Sequence, residues 1–347
     1  MKIAFIVPSL RNAGPISVVK DMVKSLIYNG DECTVFYFDD IVELEFDCKT
    51  QKISFWGNAN LNEFDIIHSH CVRPDIYVFI RSFIYKNKVL ITTLHSFLYE
   101  EAILNGKSKI YAKLLLLLYI KILHKSFKRI ITLSKISIEY YHKKGIPLCK
   151  LHCLYNTRYI DMCDLLNTDD VNDVLKFKGN NILIGVNVGI TYRKGLDQLI
   201  NALPFLEKYS LYVVGDGPAK NELIELAKSK NVLSRCYFAG YKQDAYKYLP
   251  YYDIYAMVSR SEGFPLVLLE SMIFKKKIIC SNLPIFNEIF DGDEVCIYEL
   301  DNIMSLVYNI KSIEYKTEIG EKAYSKYINS YSPNIMYKQY KIICSNN

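Results

Sequence analysis

Short runs of β-branched and apolar residues alternate with amphipathic segments of helical length along most of this 347-residue chain. The runs have the length and composition of buried strands, and the segments between them are long enough for helices. Strands that alternate with helices form βαβ units and parallel sheets. The alternation therefore predicts an α/β fold in which parallel sheets are covered by helices.

The alternation occurs twice, and a polar stretch separates the two series. Residues 158–179 are rich in Asp and Asn and lose strong periodicity, as expected of a linker with one short helix. We therefore predict a doubly wound, Rossmann-like domain at 1–160, a linker at 161–180 and a second such domain at 181–330. The predicted strands are 2–7, 32–37, 66–69, 89–94, 129–133, 182–188, 210–214, 236–239, 254–258 and 277–280.

The composition excludes several other classes of protein. Half the residues are hydrophobic and 23% are charged, which excludes a disordered chain. The ten cysteines are scattered without a C-x-x-C pair, so we expect reduced thiols rather than a zinc or redox site. The first apolar run ends at Pro8, too early for a signal peptide, and later runs are shorter than a membrane span. We expect a cytoplasmic protein that can be peripheral on the inner face of the cell membrane.

A strand, a loop and a helix follow one another in the second half of the chain. Residues 253–258 are predicted as the strand, 259–264 as the loop and 265–274 as the helix, with Pro265 at its first position. The start of such a helix presents free backbone N–H groups, here near Leu266 and Val267, with the positive end of the helix dipole behind them. Phosphate groups bind well at this kind of site.

Two glutamates flank this predicted helix start. Gly263 lets a ligand approach the backbone closely. A carboxylate can accept both hydroxyl protons of a ribose diol, which suits Glu270, whereas Glu262 would lie nearer a sugar. Spacing alone also fits a pair of solvated glutamates around an ordinary helix start, so both interpretations stay open at this point.

Motifs in this part of the chain resemble those of retaining glycosyltransferases of the family 4 type. Residues 262–270, E-G-F-P-L-V-L-L-E, match that family's loop and its second Glu at every expected position. Further motifs follow in the family's order. They are Val188-Gly189, Arg193-Lys194-Gly195-Leu196-Asp197, Val214-Gly215-Asp216-Gly217-Pro218, Phe238-Ala239-Gly240-Tyr241 and Asn287-Glu288-Ile289.

The resemblance is weaker before the linker. The segments concerned are His68-Ser69-His70, Thr93-Leu94-His95, Leu133-Ser134-Lys135 and Tyr155-Asn156. Ala13 stands where the family usually has a first glycine, which leaves Gly14 as the close-approach glycine. Ile190 stands where the family often has an arginine, so phosphate charge must rest on Arg193 and Lys194.

The resemblance implies a GT-B fold, in which two Rossmann-like domains face each other across a cleft and a C-terminal helix, here 331–347, packs back on the N-terminal domain. It implies a metal-independent, retaining transfer from a nucleotide-sugar, with UDP-sugars favoured, and no cofactor. The acceptor would be a glycan or lipid-linked glycan of bacterial surface polysaccharide synthesis. The implied catalytic residues are His95, Glu262, Arg193 and Lys194. The implied donor-binding residues are Gly14, Arg193, Lys194, Gly240, Tyr241, Glu262, Gly263, Phe264, Leu266, Val267 and Glu270.

Other motifs have plain structural interpretations. His68 and His70 point to one face of a strand, but no second pair of ligands accompanies them, so we predict no metal site. Asp291-Gly292-Asp293 fits the D-x-D pattern of metal-dependent transferases, yet we interpret it as a turn. A dinucleotide fingerprint beginning at Gly215 would need a third glycine where Lys220 stands.

Positive charge is concentrated in residues 81–150, which hold 14 Lys and Arg against three acidic residues. Within that block, segment 107–129 mixes leucines with lysines. We predict that this segment contacts an anionic membrane surface. The alternative is a core-packed helix with a solvated basic face. No RNA- or DNA-binding module accompanies the charge, so we expect no nucleic-acid partner.

Two rival functions remain open from the sequence. A nucleotide-sugar epimerase or a phosphorylase could use the same fold, although we identify no pyridoxal-binding lysine site for the latter. A glycan-binding or scaffold protein could keep the fold without turnover. Slow hydrolysis of the donor would distinguish a transferase from such a scaffold.

Overall fold

The computed structural model describes residues 1–104 and 106–345, which form two compact units. The first unit comprises Met1–Tyr159 and the chain from Tyr331 onward, and the second comprises Ile160–Ser330. Each unit contains one sheet whose strands all pair in parallel, with helices along its faces. The predicted α/β class with two Rossmann-like domains is confirmed.

The first unit has seven strands in the order β3-β2-β1-β4-β5-β6-β7. These are β1 (Lys2–Val7), β2 (Glu32–Tyr37), β3 (Lys49–Lys52), β4 (Ile66–His70), β5 (Val89–Leu94), β6 (Arg129–Thr132) and β7 (Leu151–Cys153). The helices between them are α1 (Gly14–Tyr28), α2 (Val72–Arg81), α3 (Leu98–Leu104), α4 (Lys109–Ser126) and α5 (Lys135–Lys143).

The second unit has six strands in the order β10-β9-β8-β11-β12-β13. These are β8 (Ile182–Asn187), β9 (Tyr209–Val214), β10 (Cys236–Gly240), β11 (Ile254–Met257), β12 (Lys277–Ser281) and β13 (Cys296–Tyr298). The helices are α6 (Thr168–Lys178), α7 (Leu196–Ala202), α8 (Lys220–Ser229), α9 (Leu266–Ile273), α10 (Pro284–Ile289), α11 (Ile303–Ile313) and α12 (Ile319–Ser330).

The strand orders place one reversal point in each sheet. After β1 the chain adds β2 and β3 on one side of it, and then returns to add β4 on the other side. The same reversal occurs between β8 and β11 in the second sheet. Crevices that bind ligands form outside the carboxyl ends of strands at such a point. The loops after β1, β4, β8 and β11 are therefore the first places to look for a site.

Helices cover both faces of each sheet, so the central strands are buried on both sides. In β9 all six residues are buried, and in β1 five of six are. Each unit has its own apolar cluster, which includes Ile67 and Val78 in the first and Leu199 and Leu211 in the second. Each core closes within its own unit, and the loops after β8 and β11 contribute Ile190 and Val258 to the core of the second unit.

The structure differs from the sequence-based prediction at the sheet edges and at the linker. Strands β3, β7 and β13 were not predicted, because they have only three or four residues and β3 is polar and exposed throughout. The linker predicted at 161–180 contains the one short helix expected there, α6, which is capped by the Asn167 side chain, but the segment lies within the second unit.

The chain returns to the first unit after Ser330. Helix α13 (Pro333–Ser345) packs on α1 and buries Met336, Tyr340 and Ile343. The last two residues of the predicted 331–347 helix lie outside the described residues. Among the described residues, no helix combines the length and apolar character that a membrane span requires.

Candidate functional site

The loops after β8 and β11 meet at the reversal point of the second sheet. The backbone N–H of Arg260 donates to the carbonyl of Arg193 at 2.8 Å, which joins the two loops directly. Arg193 and Lys194 lie on the first loop, and Glu262, Gly263 and Phe264 lie on the second. Residues that the sequence separates by about seventy positions therefore form one cluster.

A carboxylate lies between the two predicted phosphate-binding cations. Lys194 Nζ is 2.6 Å from Glu262 Oε1, and Arg193 Nη1 is 3.4 Å from Glu262 Oε2. The hydroxyl of Ser259 also donates to Glu262 Oε1 at 2.6 Å. The side chain of Glu262 is 6% exposed, whereas that of Arg193 is 39% exposed. In the structure Glu262 holds both cations in place, an interaction that the sequence analysis did not predict for this residue.

Arg260 anchors the loop after β8 that carries Arg193 and Lys194, which we call the cationic loop. The sequence analysis missed this role. Its guanidinium makes two hydrogen bonds to Asp197, at 2.8 and 2.7 Å, and a third to the carbonyl of Tyr192 at 3.0 Å. The guanidinium also lies over the Tyr192 ring and donates a hydrogen bond to Asp301. The hydrogen bonds to Asp197 raise the pKa of Arg260 above its ordinary value, so it stays charged. The sequence signal that could have identified this role is an arginine close to the E-G-F-P motif.

Glycines allow the cationic loop to approach its neighbours closely. Gly195 has a φ of +68°, and a Cβ there would lie 2.1 Å from the carbonyl oxygen of Val258. A Cβ on Gly217 would lie 2.2 Å from the carbonyl oxygen of Ile190. Ile190 itself is fully buried in the core of the unit. The position where the family often has an arginine is thus a packing position in this chain.

Helix α9 begins one residue later than predicted. Pro265 is its N-cap, with an extended ψ of 124°, so Leu266 is the first helical residue. Leu266 and Val267 are half-buried, and helix geometry leaves the N–H groups of such first-turn residues without an intrahelical acceptor. Phe264 is buried beneath the loop. The phosphate-binding role predicted for this helix start stays a prediction, and its half-buried first turn is compatible with that role.

Glu270 lies one turn into α9 and is buried. Burial, followed by the nearby Glu270 carboxylate, raises the pKa of the Tyr255 phenol well above its ordinary value, and Glu262 contributes in the same direction. The charges of both glutamates therefore act on the same tyrosine of β11.

Gly240 and Tyr241 lie at the carboxyl end of β10, on the far side of the same sheet. Gly240 has a φ of +76°, and its carbonyl accepts from the N–H of Gly215 at 2.8 Å. The Tyr241 ring is exposed. Both predicted donor residues therefore lie at the carboxyl end of the sheet, as do the loops after β8 and β11.

Gly14 and His95 belong to the first unit. Gly14 is exposed as the first residue of α1, and a Cβ there would meet no atom within 4 Å. The protein itself does not require glycine at this position. His95 follows β5 and lines a cavity of about 640 Å³. Other lining residues include Arg73, Lys107, Tyr111, Leu115 and Tyr119.

A row of histidines connects this cavity to the interior of the unit. His70 Nδ1 is 2.9 Å from His95 Nε2, and His68 bonds Tyr340 at 3.1 Å and Thr93 at 2.8 Å. Burial lowers the pKa of His95 to about 4 and that of His68 to about 3. All three rings are therefore neutral near pH 7. No group of three His, Cys, Asp or Glu side chains among the described residues could hold a metal ion.

Helix α4 carries most of the basic segment 107–129. Ala112, Leu116, Tyr119, Ile120 and Leu123 form its buried face. An outward stripe at helical spacing consists of Ile110, Leu114, Leu117 and Leu118, each about half exposed or more. We call these four residues the α4 stripe.

Two members of the predicted basic segment lie in the interior instead. Phe127 is buried, and Arg129 is buried with a hydrogen bond to the carbonyl of Cys344 at 2.9 Å. Because β6 begins at Arg129, the outward surface of the segment ends before it.

Family models and relatives match most of the chain. The sequence profile of the Glycosyl transferases group 1 matches residues 167–329, and that of Glycosyltransferase Family 4 matches residues 14–158. The O-antigen biosynthesis glycosyltransferase WclY of Escherichia coli is 33% identical over 319 residues, which cover 88% of this chain and 87% of WclY.

Solved structures share the fold. HepE of Anabaena, in complex with UDP, superimposes with a TM-score of 0.82 at 18% identity, covering 99% of this chain and 100% of that one. The lipopolysaccharide outer core galactosyltransferase WaaB, in its apo form, superimposes with a TM-score of 0.71 at 16% identity, covering 99% of each chain.

Proposed function

Because this chain belongs to the group 1 glycosyltransferases, we propose that it transfers a sugar from a nucleotide-sugar, with UDP-sugars favoured, to a glycan acceptor in bacterial surface polysaccharide synthesis. The observation that carries the proposal is the convergence of Arg193, Lys194 and the start of α9 at one sheet edge. The UDP complex of HepE and the O-antigen role of WclY support the choices of donor and pathway.

In the proposed complex the donor pyrophosphate replaces Glu262 as the partner of the two cations. Arg193 and Lys194 then neutralise the charge that develops on the leaving nucleotide, and the N–H groups of Leu266 and Val267 add hydrogen bonds. Glu262, released from the cations, faces the donor sugar, and Glu270 accepts from the ribose hydroxyls. Gly14, Gly240, Tyr241, Gly263 and Phe264 complete the proposed donor residues.

We propose that the anomeric configuration is retained and that neither a metal nor a cofactor takes part. The acceptor hydroxyl oxygen forms a bond to the anomeric carbon while the bond from that carbon to the phosphate oxygen breaks. The acceptor proton passes to the departing phosphate. His95 contacts the transferred sugar as a neutral hydrogen-bonding group, which its lowered pKa supports.

The cavity beside His95 is the proposed acceptor site. Its walls are largely apolar and aromatic, and they include Leu115 and Tyr119 of α4. Arg73 and Lys107 bring positive charge to the same cavity, although Glu101 also lines it and Arg73 pairs with Asp39 at 2.8 Å. Apolar walls with cations suit a glycan that is attached to a lipid phosphate.

We also propose that the α4 stripe rests on an anionic membrane. Apolar side chains on one face of a helix with lysines around them are typical of helices that lie in a membrane interface. Lys109, Lys113, Lys121 and Lys125 are all exposed. Each basic residue near an anionic surface contributes about 1 kcal/mol.

Donor binding tests the proposed function. A thermal-shift screen with UDP-, GDP- and ADP-sugars identifies the donor, and calorimetry then measures its affinity for the wild type and for Glu270→Ala. We expect a tenfold to hundredfold weaker affinity in the variant, roughly the contribution of one charge-assisted hydrogen bond. Glu225→Ala, on the exposed surface of α8, is the matched control. Equal affinities for Glu270→Ala and the wild type would contradict the donor site.

Flotation with vesicles tests the membrane proposal. We expect the wild type to float at low salt with vesicles of phosphatidylcholine and phosphatidylglycerol, and to be released by high salt because surface charge is screened. Leu114→Asp combined with Leu118→Asp should abolish flotation. Leu165→Asp, an exposed leucine of the second unit, should have no effect. If the wild type stays at the bottom of the gradient, the proposal is wrong.

A further inference from the structure

The two histidines nearest the acceptor cavity are joined by a hydrogen bond that no function yet explains. His70 is the last residue of β4 and is fully buried, whereas His95 lines the cavity. The distance from His70 Nδ1 to His95 Nε2 is 2.9 Å. The Phe5 ring, whose centroid is 5.8 Å from that of His70, packs beside it. Packing on all sides fixes the His70 ring, so it can orient its neighbour.

Only one proton can lie in this hydrogen bond. Burial lowers the pKa of His70 well below its ordinary value, and that of His95 falls to about 4. Both rings are therefore neutral near pH 7, and a neutral imidazole has one N–H and one bare nitrogen. One ring must donate and the other must accept.

The surroundings of His70 decide which ring donates. Its other nitrogen, Nε2, is buried and has no hydrogen-bond partner within the described part of the chain. Orphaned buried N–H donors are rarer in proteins than under-satisfied acceptors. His70 therefore keeps its proton on Nδ1, where it has an acceptor, and leaves Nε2 bare.

We propose that His70 is a positioning residue: its Nδ1–H donates to Nε2 of His95 and so fixes His95 as the Nδ1–H tautomer. The tautomer of a histidine is set by the hydrogen bond that its other nitrogen makes. His95 then offers a single kind of group, an N–H donor, to whatever ligand it meets in the cavity. This inference rests on the proposed function only where it concerns turnover.

His68 provides the contrast. Both of its ring nitrogens have partners, Tyr340 of α13 and Thr93 of β5. Its bonds thus join structural elements of the unit and leave no nitrogen for His95. Of the two buried histidines on this face of β4, only His70 is in hydrogen-bond contact with the cavity residue.

The tautomer can be measured without any ligand. Long-range ¹H–¹⁵N spectra of the full-length labelled protein, which has six histidines, separate protonated from bare ring nitrogens. We expect the wild-type His95 to show a protonated Nδ1 and a bare Nε2. In His70→Leu the signals should move towards the mixture of tautomers seen in free imidazoles. His70→Asn, whose amide can donate from nearly the same place, should restore the wild-type pattern.

Turnover gives the second measurement. We expect His70→Leu to lower kcat about tenfold to hundredfold, the range found when the partner that orients a metal-bound histidine is lost. The donor KM should stay unchanged and His70→Asn should recover most of the activity. Melting temperatures of both variants show whether the fold is intact.

The outcomes separate the inference from the function. A wild-type His95 protonated on Nε2, or an unchanged His95 spectrum in His70→Leu, would overturn the inference whatever the enzyme does. A protein that shows the expected tautomer but no transfer with any donor would contradict the proposed function alone. Equal loss of kcat in His70→Leu and His70→Asn would reduce His70 to a packing residue.

Discussion

At the scale of single residues, the buried carboxyl group of Asp75 stands out because its pKa is raised. It is fully buried beside the cavity that His95 lines, and it accepts hydrogen bonds from Ser69 at 2.5 Å, from Thr92 at 2.7 Å and from Tyr119. Burial raises its pKa to about 7, although the three hydroxyls oppose the shift. Tyr119 also lines the cavity, so this carboxyl fixes part of the cavity wall.

The raised pKa makes a prediction about stability. The folded state binds the Asp75 proton more tightly than the unfolded state, whose pKa is near 3.8. The contribution of Asp75 to the free energy of unfolding should therefore fall as the pH rises from about 5 to about 7, by up to about 1.4 kcal/mol per pH unit.

Urea unfolding of the wild type and of Asp75→Asn from pH 5 to 8.5 measures this contribution as the difference between their free energies of unfolding. The buried histidines have the opposite effect on stability, but they are present in both proteins, so their effect cancels in the difference. We expect the wild type to lose stability relative to the variant up to about pH 7. Asp40→Asn, at an exposed carboxylate, is the control. A difference that does not change with pH would refute the assignment.

The contacts and burial of some single residues could not be predicted from the residues next to them in sequence. The order of motifs identified Arg193, Lys194 and Glu262 as site residues, but it gave no sign that the carboxylate pairs with both cations. Ile190 was recognised as a departure from the family pattern. Its burial in the core became evident only once the strands around it were assembled.

At the scale of elements, the loop after β8 depends on a residue from the loop after β11. Arg260 holds the segment from Tyr192 to Asp197 by a two-pronged ion pair, a carbonyl contact and ring stacking. The cations of the proposed donor site are thus positioned by a side chain that need not touch the donor.

We predict that Arg260→Ala weakens donor binding about tenfold, because Arg193 and Lys194 lose their fixed loop. Arg260→Lys should recover little, since an ammonium cannot reproduce the planar two-pronged contact. Calorimetry with the donor measures the effect, and Lys228→Ala on α8 serves as the control. Unchanged affinity in Arg260→Ala would show that the loop holds its shape without the clamp.

Helix α4 shows the limit of pattern analysis for one element. Its leucines occupy nearly every direction around the helix, so the sequence predicted a helix but left open which face is buried. The structure turns Leu116 and Leu123 inward and leaves the α4 stripe exposed. Contacts with α2 and α3 made that choice.

At the scale of the whole molecule, the first unit is made from both ends of the chain. Helix α13 packs on α1, where Ser25 donates to the carbonyl of Pro333 at 2.9 Å and Lys341 lies 3.2 Å from Asp31. Tyr340 bonds His68 within the core. The carboxyl-terminal segment is therefore part of the first unit, although it follows the second in sequence.

We predict that ending the chain at Ser330 unfolds the first unit. The loss removes the buried Met336 and Ile343, each worth about 1.5–3 kcal/mol, together with Tyr340, from a domain whose total stability is of order 5–15 kcal/mol. Calorimetry should show one transition lost and that of the second unit retained. Lys338→Ala, on the exposed side of α13, should melt as the wild type does. Two unchanged transitions in the truncated protein would be inconsistent with this role.

The sequence by itself determined the alternation of strands and helices, the two sheets and the motif that leads to residues 262–270. These features are local, because periodicity and loop chemistry act over a few neighbours. It missed β3, β7 and β13, because short edge strands owe their existence to the strand beside them.

Only the tertiary structure decided the strand order, the Glu262 ion pairs, the Arg260 clamp, the bond between His70 and His95 and the return of α13 to the first unit. Each of these joins residues that are far apart along the chain. Such contacts depend on where whole elements pack, and no pattern of neighbouring residues records that information.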